Sequence, residues 1–185
     1  MTNEYNQQKI DKEYVAVFAI ALFLSWILHE LAHWTVGEYL GNKMVMTLNS
    51  GYPLSGQYSQ DWHYQIISAA GPVFTLGESL LVFLLMMQRK RILLYPFIFI
   101  CFYMRFFATI ISFRNPNDEA RISTALGIGK FTLPIIMSCI LFALVYKVSK
   151  AYRLDTKFNL ANLGLTILFS SLIILTDMYF KIRLL

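Results

Sequence analysis

Two histidines, His29 and His33, lie four residues apart, and Glu30 directly follows the first of them. On a helix, residues four apart share one face with Cβ atoms about 6 Å apart, so both imidazoles can point at one metal ion. Glu30 then lies beside the open coordination position of that metal. This H-E-x-x-H pattern is typical of zinc hydrolases, in which the imidazoles hold Zn²⁺ while the carboxylate moves a proton from the attacking water to the leaving amine.

Chance is a poor explanation of this pattern. In a chain with three histidines and six glutamates, such a pentad is expected only about 0.002 times. A second alternative is that the histidines form hydrogen bonds between helices, which is common for a single histidine in a membrane bundle. That alternative leaves the combination of His29, Glu30 and His33 unexplained, because each is costly in an apolar segment. We therefore predict a Zn²⁺ site with His29 and His33 as ligands.

The composition predicts a polytopic membrane protein. Of 185 residues, 57% are hydrophobic and 15% are charged, whereas soluble domains are about 45–50% apolar. The net charge of +5 is spread over the polar segments, which suits a lipid bilayer with anionic headgroups and argues against a nucleic-acid partner. Cys101 and Cys139 both fall in apolar runs, so we expect neither a disulfide nor a cysteine metal site.

Five apolar runs are long enough to cross a bilayer as helices. They cover about residues 14–36, 62–88, 92–113, 131–148 and 158–180. We expect the first run to be a retained span rather than a signal peptide, because no small-residue cleavage site follows it. The predicted fold is an all-α polytopic membrane protein, a single transmembrane domain over residues 1–185. Its catalytic core would cover about residues 14–121, and about residues 131–180 would supply additional helices.

The segment between the first two runs is too polar to span a membrane. Residues 44–48 are typical of a short strand, and the following residues 49–51 are typical of a turn. A plain connecting loop is one interpretation of this segment. The other is a short membrane-associated β-hairpin with a free edge, on which an unwound substrate could be laid as an added strand.

Two charged residues lie inside the second and third runs. Glu78 and Arg105 would be roughly 15 and 21 Å from the turn at residues 89–91 if both runs are helical. A long arginine side chain could bridge that difference in depth. We predict a structural ion pair between Glu78 and Arg105, with a role in the functional site as the alternative. His63, at the start of the second run, is predicted to be a polar residue at the membrane interface, with a contact to substrate or water near the site as the alternative.

The two histidines leave the metal site one ligand short, because a catalytic zinc ion usually has three protein ligands. If the chain crosses the bilayer once per run, the end of the first run, the start of the second and the end of the third meet at one membrane face. The polar segment at residues 114–121 is the best source of a ligand there. The candidates are Asp118, Glu119, His63 and the deeper Glu78. Adjacent helical residues project about 100° apart, so only one of Asp118 and Glu119 should face the metal.

Three elements in this order resemble the site-2 protease family of intramembrane zinc metalloproteases. They are the H-E-x-x-H pattern at residues 29–33, the Ala-Gly-Pro sequence at 70–72, and the Asn-Pro segment that leads to Asp118. The resemblance covers about residues 25–121. It implies that His29, His33 and Asp118 ligate zinc and that Glu30 is the general base. It also implies a hairpin at about residues 44–56 and substrate contacts from Gly71, Pro72, Thr75 and Asn115.

The chain departs from the family pattern in three respects. Thr75 stands where the family often has an asparagine. The usual Leu-Asp-Gly-type ending is replaced by Asn117-Asp118-Glu119, so Glu119 remains a rival ligand. A PDZ-like insertion, which filters substrates in some relatives, is absent from this sequence.

These features predict a zinc metalloendopeptidase that cleaves a transmembrane protein substrate in or near its membrane segment. A non-proteolytic zinc-binding membrane protein, such as a transporter or a degenerate regulator, is the alternative, although such a protein has no need of Glu30. A lipid hydroxylase or desaturase would need several histidine clusters, and this chain has three histidines. We predict a multi-pass protein of a bacterial cell membrane. The basic residues weakly favour an external site, whereas the resemblance implies a site towards the cytosol.

Overall fold

The computed structural model describes residues 8–185 as a bundle of long helices with one small hairpin. The elements, in chain order, are α1 (Lys12–Tyr39), β1 (Met44–Met46), β2 (Gly51–Pro53), α2 (Asp61–Arg89), a 3₁₀ turn (Ile92–Leu94) leading into α3 (Tyr95–Ile111), α4 (Asp118–Ala125), α5 (Thr132–Ala151) and α6 (Thr156–Phe180). Within the described residues, α1, α2, α3 with its 3₁₀ turn, α5 and α6 are long and apolar enough to cross a membrane. This confirms the all-α polytopic fold, and the expected ends of the spans are within three residues of these bounds.

Short polar side chains fix where two of the long helices begin. The Asp11 carboxylate accepts a 2.9 Å hydrogen bond from the Tyr14 amide at the start of α1. The Asp155 carboxylate accepts a 2.6 Å bond from the Phe158 amide at the start of α6. Each cap satisfies a backbone donor that the first helical turn leaves without an intrahelical partner.

The hydrophobic core is concentrated at the end of the bundle opposite the H-E-x-x-H pattern. Tyr14 and Phe18 from the first turns of α1 pack with Met86 near the end of α2, Tyr95 at the start of α3 and Phe158 at the start of α6. These apolar contacts stabilise one end of the bundle. Polar side chains are therefore tolerated at the opposite end, which is formed by the end of α1, the start of α2 and the end of α3. The site lies at that other end.

The segment after α1 forms an antiparallel hairpin, which confirms the hairpin interpretation over the plain loop. Met44 pairs with Pro53, Val45 with Tyr52, and Met46 with Gly51. The hairpin lies directly against α1, since a Cβ added at Gly51 would be 3.4 Å from the Cβ of His33. A glycine at this position therefore lets β2 approach the turn of α1 that carries His33.

The outer edge of β1 is paired, although the sequence suggested a free edge. The chain turns back after α6, and the amide of Leu184 donates a 2.8 Å hydrogen bond to the Met46 carbonyl. The Met46 amide in turn donates a 3.1 Å bond to the Leu185 carbonyl. We refer to residues 182–185 as the edge segment. A contact between positions so far apart in the chain leaves no local sequence signal.

The polar segment after α3 contains the short helix α4, which was not expected as a separate element. Asn117 precedes α4 and ties it to α3, because its side-chain amide donates a 2.9 Å hydrogen bond to the Ala108 carbonyl. The Asn117 backbone amide also donates to Ser112 Oγ at 3.1 Å. Asp118 and Glu119 therefore occupy the first turn of a helix that is anchored to the end of α3.

Candidate metal centre

Three side chains from two distant parts of the chain converge on one point. His29 Nε2 and His33 Nε2 are 3.2 Å apart. Asp118 Oδ2 lies 3.4 Å from the first nitrogen and 3.5 Å from the second. A tetrahedral zinc ion with ligands at about 2.0–2.1 Å requires ligand-to-ligand distances of about 3.3–3.4 Å. This group of atoms therefore has the spacing to hold a metal ion.

The hydrogen bonds of the two imidazoles direct their lone pairs towards this point. His33 Nδ1 is 2.6 Å from the Ile67 carbonyl, which can only accept, so Nδ1 carries the proton and neutral His33 has a bare Nε2. His29 Nε2 is 3.3 Å from Arg105 Nη2, which can only donate, so this nitrogen is also an acceptor. His29 Nδ1–H then donates to Thr75 Oγ1 at 2.9 Å. The two lone pairs and the carboxylate therefore form a donor set that could hold a metal ion.

α2 packs closely against the two imidazoles at Gly71, which has no side chain. A Cβ added at Gly71 would overlap ring atoms of both His29 and His33, and would lie 2.6 Å from His29 Nε2. The same helix provides the Thr75 hydroxyl and the Ile67 carbonyl that orient the rings. A small residue is therefore required where α2 crosses the turn that carries His29 and His33, and its neighbours in α2 set the orientation of the two rings.

Asp118, rather than Glu119, faces the histidines. Glu119 turns towards Arg105, whose Nη1 is 3.3 Å from Oε1 and 3.4 Å from Oε2. The expected divergence of neighbouring helical side chains is observed. Both carboxylates contact Arg105, but of the two it is Asp118 that also lies within 3.5 Å of His29 Nε2 and His33 Nε2. Among the described histidine, cysteine and acidic residues, the group of three that could hold a metal is His29, His33 and Asp118.

Arg105 and Arg121 hold the Asp118 carboxylate from two sides. Arg105 Nη1 is 3.2 Å from Oδ2, and Arg121 Nη1 is 3.6 Å from Oδ1. Burial raises the pKa of the Asp118 carboxyl, but nearby positive charge, including the Arg105 guanidinium, holds that pKa well below the usual range. The two guanidinium groups therefore favour the ionised form of the Asp118 carboxylate.

Glu30 lies next to the metal-binding group without belonging to it. Its side chain is 8% exposed and borders a cavity of about 360 Å³, whose wall also includes His29, His33 and Asp118. The tip of the hairpin, at residues 49–51, forms another part of that wall. A carboxylate, a group that could hold a metal ion and a half-buried backbone turn therefore share one cavity.

The residues expected to contact substrate are divided between two locations. Asn115 borders the cavity. Gly71 and Thr75 contact the imidazoles, and Pro72 is buried in α2, which continues as a helix through that residue. These three α2 residues are not part of the described cavity wall.

The expected ion pair between Glu78 and Arg105 was wrong. Glu78 Oε1 accepts a 2.5 Å hydrogen bond from Ser25 Oγ, whereas Arg105 pairs with the two carboxylates of α4. The sequence estimate considered depth along the helices and did not include the first turn of α4, whose two acidic residues lie within reach of Arg105. Arg105 instead borders the cavity that contains His29, His33 and Asp118, which is the alternative predicted from the sequence.

His63 was expected at the membrane interface but is buried. It is 5% exposed, and its Nδ1 is 3.1 Å from Asn42 Nδ2 and 3.0 Å from Ser59 Oγ. These partners belong to the chain between α1 and α2, so His63 joins the start of α2 to that connection. It is not part of the described metal-binding group.

Sequence reasoning did not identify the residues that hold the hairpin tip beside the cavity. Trp26 Nε1 donates a 3.1 Å hydrogen bond to Asn49 Oδ1. Asp177, in the last turn of α6, accepts from the Leu48 amide at 3.0 Å and from Thr47 Oγ1 at 3.1 Å. An acidic residue near the end of an apolar helix was the available signal for Asp177, although it does not specify the partner.

Comparison of the chain with protein-family models, with curated proteins and with solved structures gives no match.

Proposed function

We propose that this protein is an intramembrane zinc metalloprotease, similar to the site-2 proteases, that hydrolyses a peptide bond in or near the transmembrane segment of another protein. One observation carries the proposal. His29, His33 and Asp118 converge with the spacing of a metal site, and Glu30 borders the same cavity. A protein that only stores or transports metal has no use for a buried carboxylate beside the metal-binding group.

Zinc is the metal that suits this donor set best. Two imidazoles and one carboxylate are typical of catalytic zinc, and sites for magnesium or calcium use oxygen ligands instead. Three protein ligands are also the usual number for a catalytic zinc ion, which keeps one position for water or substrate. When bound, zinc supplies a Lewis acid that polarises the scissile carbonyl and lowers the pKa of the attacking water.

The side chains described above transfer the proton and keep the proposed zinc ligands in position. Hydrolysis adds the water oxygen to the carbonyl carbon and breaks the carbon–nitrogen bond. Glu30 accepts the proton that the water loses and delivers it to the leaving nitrogen. Thr75 and the Ile67 carbonyl keep the imidazoles in the orientation that exposes Nε2. Arg105 and Arg121 keep Asp118 in place.

The cavity suits an extended peptide better than a helix. A peptide carbonyl within a helix is already hydrogen-bonded and covered by side chains, so a transmembrane substrate must unwind before it can be cut. The hairpin tip and Asn115 border the cavity and offer polar groups to an unwound backbone. We infer that substrates carry helix-breaking residues near the cleaved bond.

The five membrane-length helices are consistent with a multi-pass integral membrane protein. We propose that it resides in a bacterial cell membrane, with its site towards the cytosol as in the family that it resembles. The lipid bilayer then delivers substrates laterally, as membrane proteins rather than as soluble peptides.

The proposal is tested by Glu30→Gln in purified protein reconstituted with a panel of single-span membrane proteins. The amide keeps the size of the side chain but removes the base, so zinc content should stay at one ion per chain while cleavage falls about 10²- to 10⁴-fold. Glu13→Gln is the matched control, because Glu13 lies in the same helix but is exposed in its first turn. Undiminished cleavage by zinc-loaded Glu30→Gln protein would contradict the mechanism.

A further inference from the structure

The edge segment pairs with β1 as an added antiparallel strand does. The Met46 amide donates to the Leu185 carbonyl at 3.1 Å, and the Met46 carbonyl accepts from the Leu184 and Leu185 amides at 2.8 and 3.4 Å. Exchange of both bonds between two facing residues is the pattern of a hydrogen-bonded antiparallel pair. β2 occupies the other edge of β1. The edge segment therefore fills the position that a third strand of this sheet would occupy.

This sheet is part of the functional site. Its turn, at residues 49–51, borders the cavity that contains Glu30 and the metal-binding group. Asp177 at the end of α6 binds the backbone and side chain just after β1, at Leu48 and Thr47. Helix α6 therefore delivers the edge segment directly to the strand whose hairpin reaches the cavity.

We propose that the edge segment is an internal competitor that occupies the outer edge of β1 until an extended substrate segment displaces it. The inference rests on the proposed function for the identity of that substrate. An unwound transmembrane segment has free backbone donors and acceptors, which a strand edge satisfies. The edge segment makes the same kind of bonds at the same strand, so both cannot pair with Met46 at once.

The edge segment is held weakly enough to be displaced. Its aliphatic side chains remain 43% exposed at Ile182, 41% at Leu184 and 44% at Leu185. It contributes backbone hydrogen bonds to a single residue of β1, and each such bond adds little net free energy when water competes. With a competitor of this kind, the apparent affinity for substrate is reduced to the intrinsic affinity multiplied by the fraction of molecules in which the edge is free. We expect that reduction to be on the order of tenfold.

The first test removes residues 182–185 from the reconstituted protein. The deletion should lower KM about tenfold and leave kcat and zinc content unchanged, because it removes a competitor and not a catalytic group. Leu184→Pro, which lacks the amide that donates to Met46, should have the same effect. Leu184→Ala is its matched control, because it keeps that amide, and should stay close to wild type. An unchanged KM, a lower kcat or a loss of zinc would overturn the proposal.

The second test does not depend on proteolysis. The Met46 amide should exchange with deuterium about tenfold faster after the deletion, since it loses its bond to Leu185. A fluorescent peptide with the sequence of residues 181–185 should bind the deleted protein and bind wild type at least tenfold more weakly. If neither difference is observed, the edge segment is not a competitor. If both are observed but no substrate is cleaved, the proposed protease function fails while the docking edge stands.

Discussion

Substitution of Gly71 by alanine should disrupt the metal centre although Gly71 itself ligates nothing. The added Cβ would lie 2.6 Å from His29 Nε2, whereas ordinary contacts of a Cβ begin at 3.4 Å. The imidazole must therefore move by about 0.8 Å, the difference between those distances. Metal sites tolerate ligand displacements of only about 0.2 Å. A methyl group is therefore enough to spoil the spacing of the two histidines.

The imidazoles cannot escape this collision without losing the bonds that orient them. His29 is bonded to Thr75 and His33 to the Ile67 carbonyl, and both partners belong to the same helix as Gly71. A ring that moves away from α2 gives up its bond to that helix. Loss of one such orienting bond typically costs 10- to 100-fold in metal affinity. With both rings affected, we expect zinc affinity to fall at least about 100-fold.

The assay is zinc affinity, measured by competition with a chromogenic chelator on purified protein. Gly77→Ala is the matched control, because Gly77 lies in the same helix and a Cβ there would meet nothing within 4 Å. That substitution should leave zinc affinity unchanged and stabilise α2 slightly, by about 0.5–1 kcal/mol. If Gly71→Ala binds zinc as tightly as Gly77→Ala, the two histidines do not bind metal in the arrangement described.

The remaining predictions concern the ligand set and its support. Asp118→Ala should lower zinc occupancy and proteolysis together. Glu119→Ala should keep most of the zinc, because Glu119 pairs with Arg105 and does not face the histidines. If Glu119→Ala lost more zinc than Asp118→Ala, Glu119 would be the ligand. Thr75→Val should weaken zinc binding about 10- to 100-fold by removing the acceptor for His29 Nδ1–H. Thr75→Ser keeps the hydroxyl and should bind like wild type, so equal affinities for the valine and serine variants would rule out this role.

The parts of the site that follow from local periodicity were predictable. The helical spacing of His29 and His33 needs only that residues 29–33 be helical, and the length of the apolar run around them indicates a membrane-spanning helix. Alternate crossings of the membrane then bring Asp118 to the same face. The strand and turn residues at 44–51 likewise made a hairpin one of two interpretations, because a turn signal after a β-prone run is a local feature.

The parts that depend on long-range packing could not be predicted. Arg105 could have paired either with Glu78 or with the carboxylates that follow α3. Depth along a helix does not show where α4 packs, so it could not indicate that the carboxylates of α4 are the partners observed. Thr75 was expected to contact substrate, but the rotation of α2 about its axis turns it to His29. The pairing of the edge segment with Met46 joins residues that are about 140 positions apart in the sequence. Such contacts depend on how the helices pack, which periodicity leaves open.

The most direct test of the central claim is whether proteolysis depends on one zinc ion held by this group. Reconstituted wild-type protein should be stripped of metal with a chelator, and zinc then restored stepwise while cleavage of a transmembrane substrate is followed. We predict that cleavage disappears with the metal and returns in proportion to bound zinc, up to one ion per chain, and that His33→Ala regains neither zinc nor activity. Cleavage that persists in the stripped protein, or that returns equally in His33→Ala, would contradict the account.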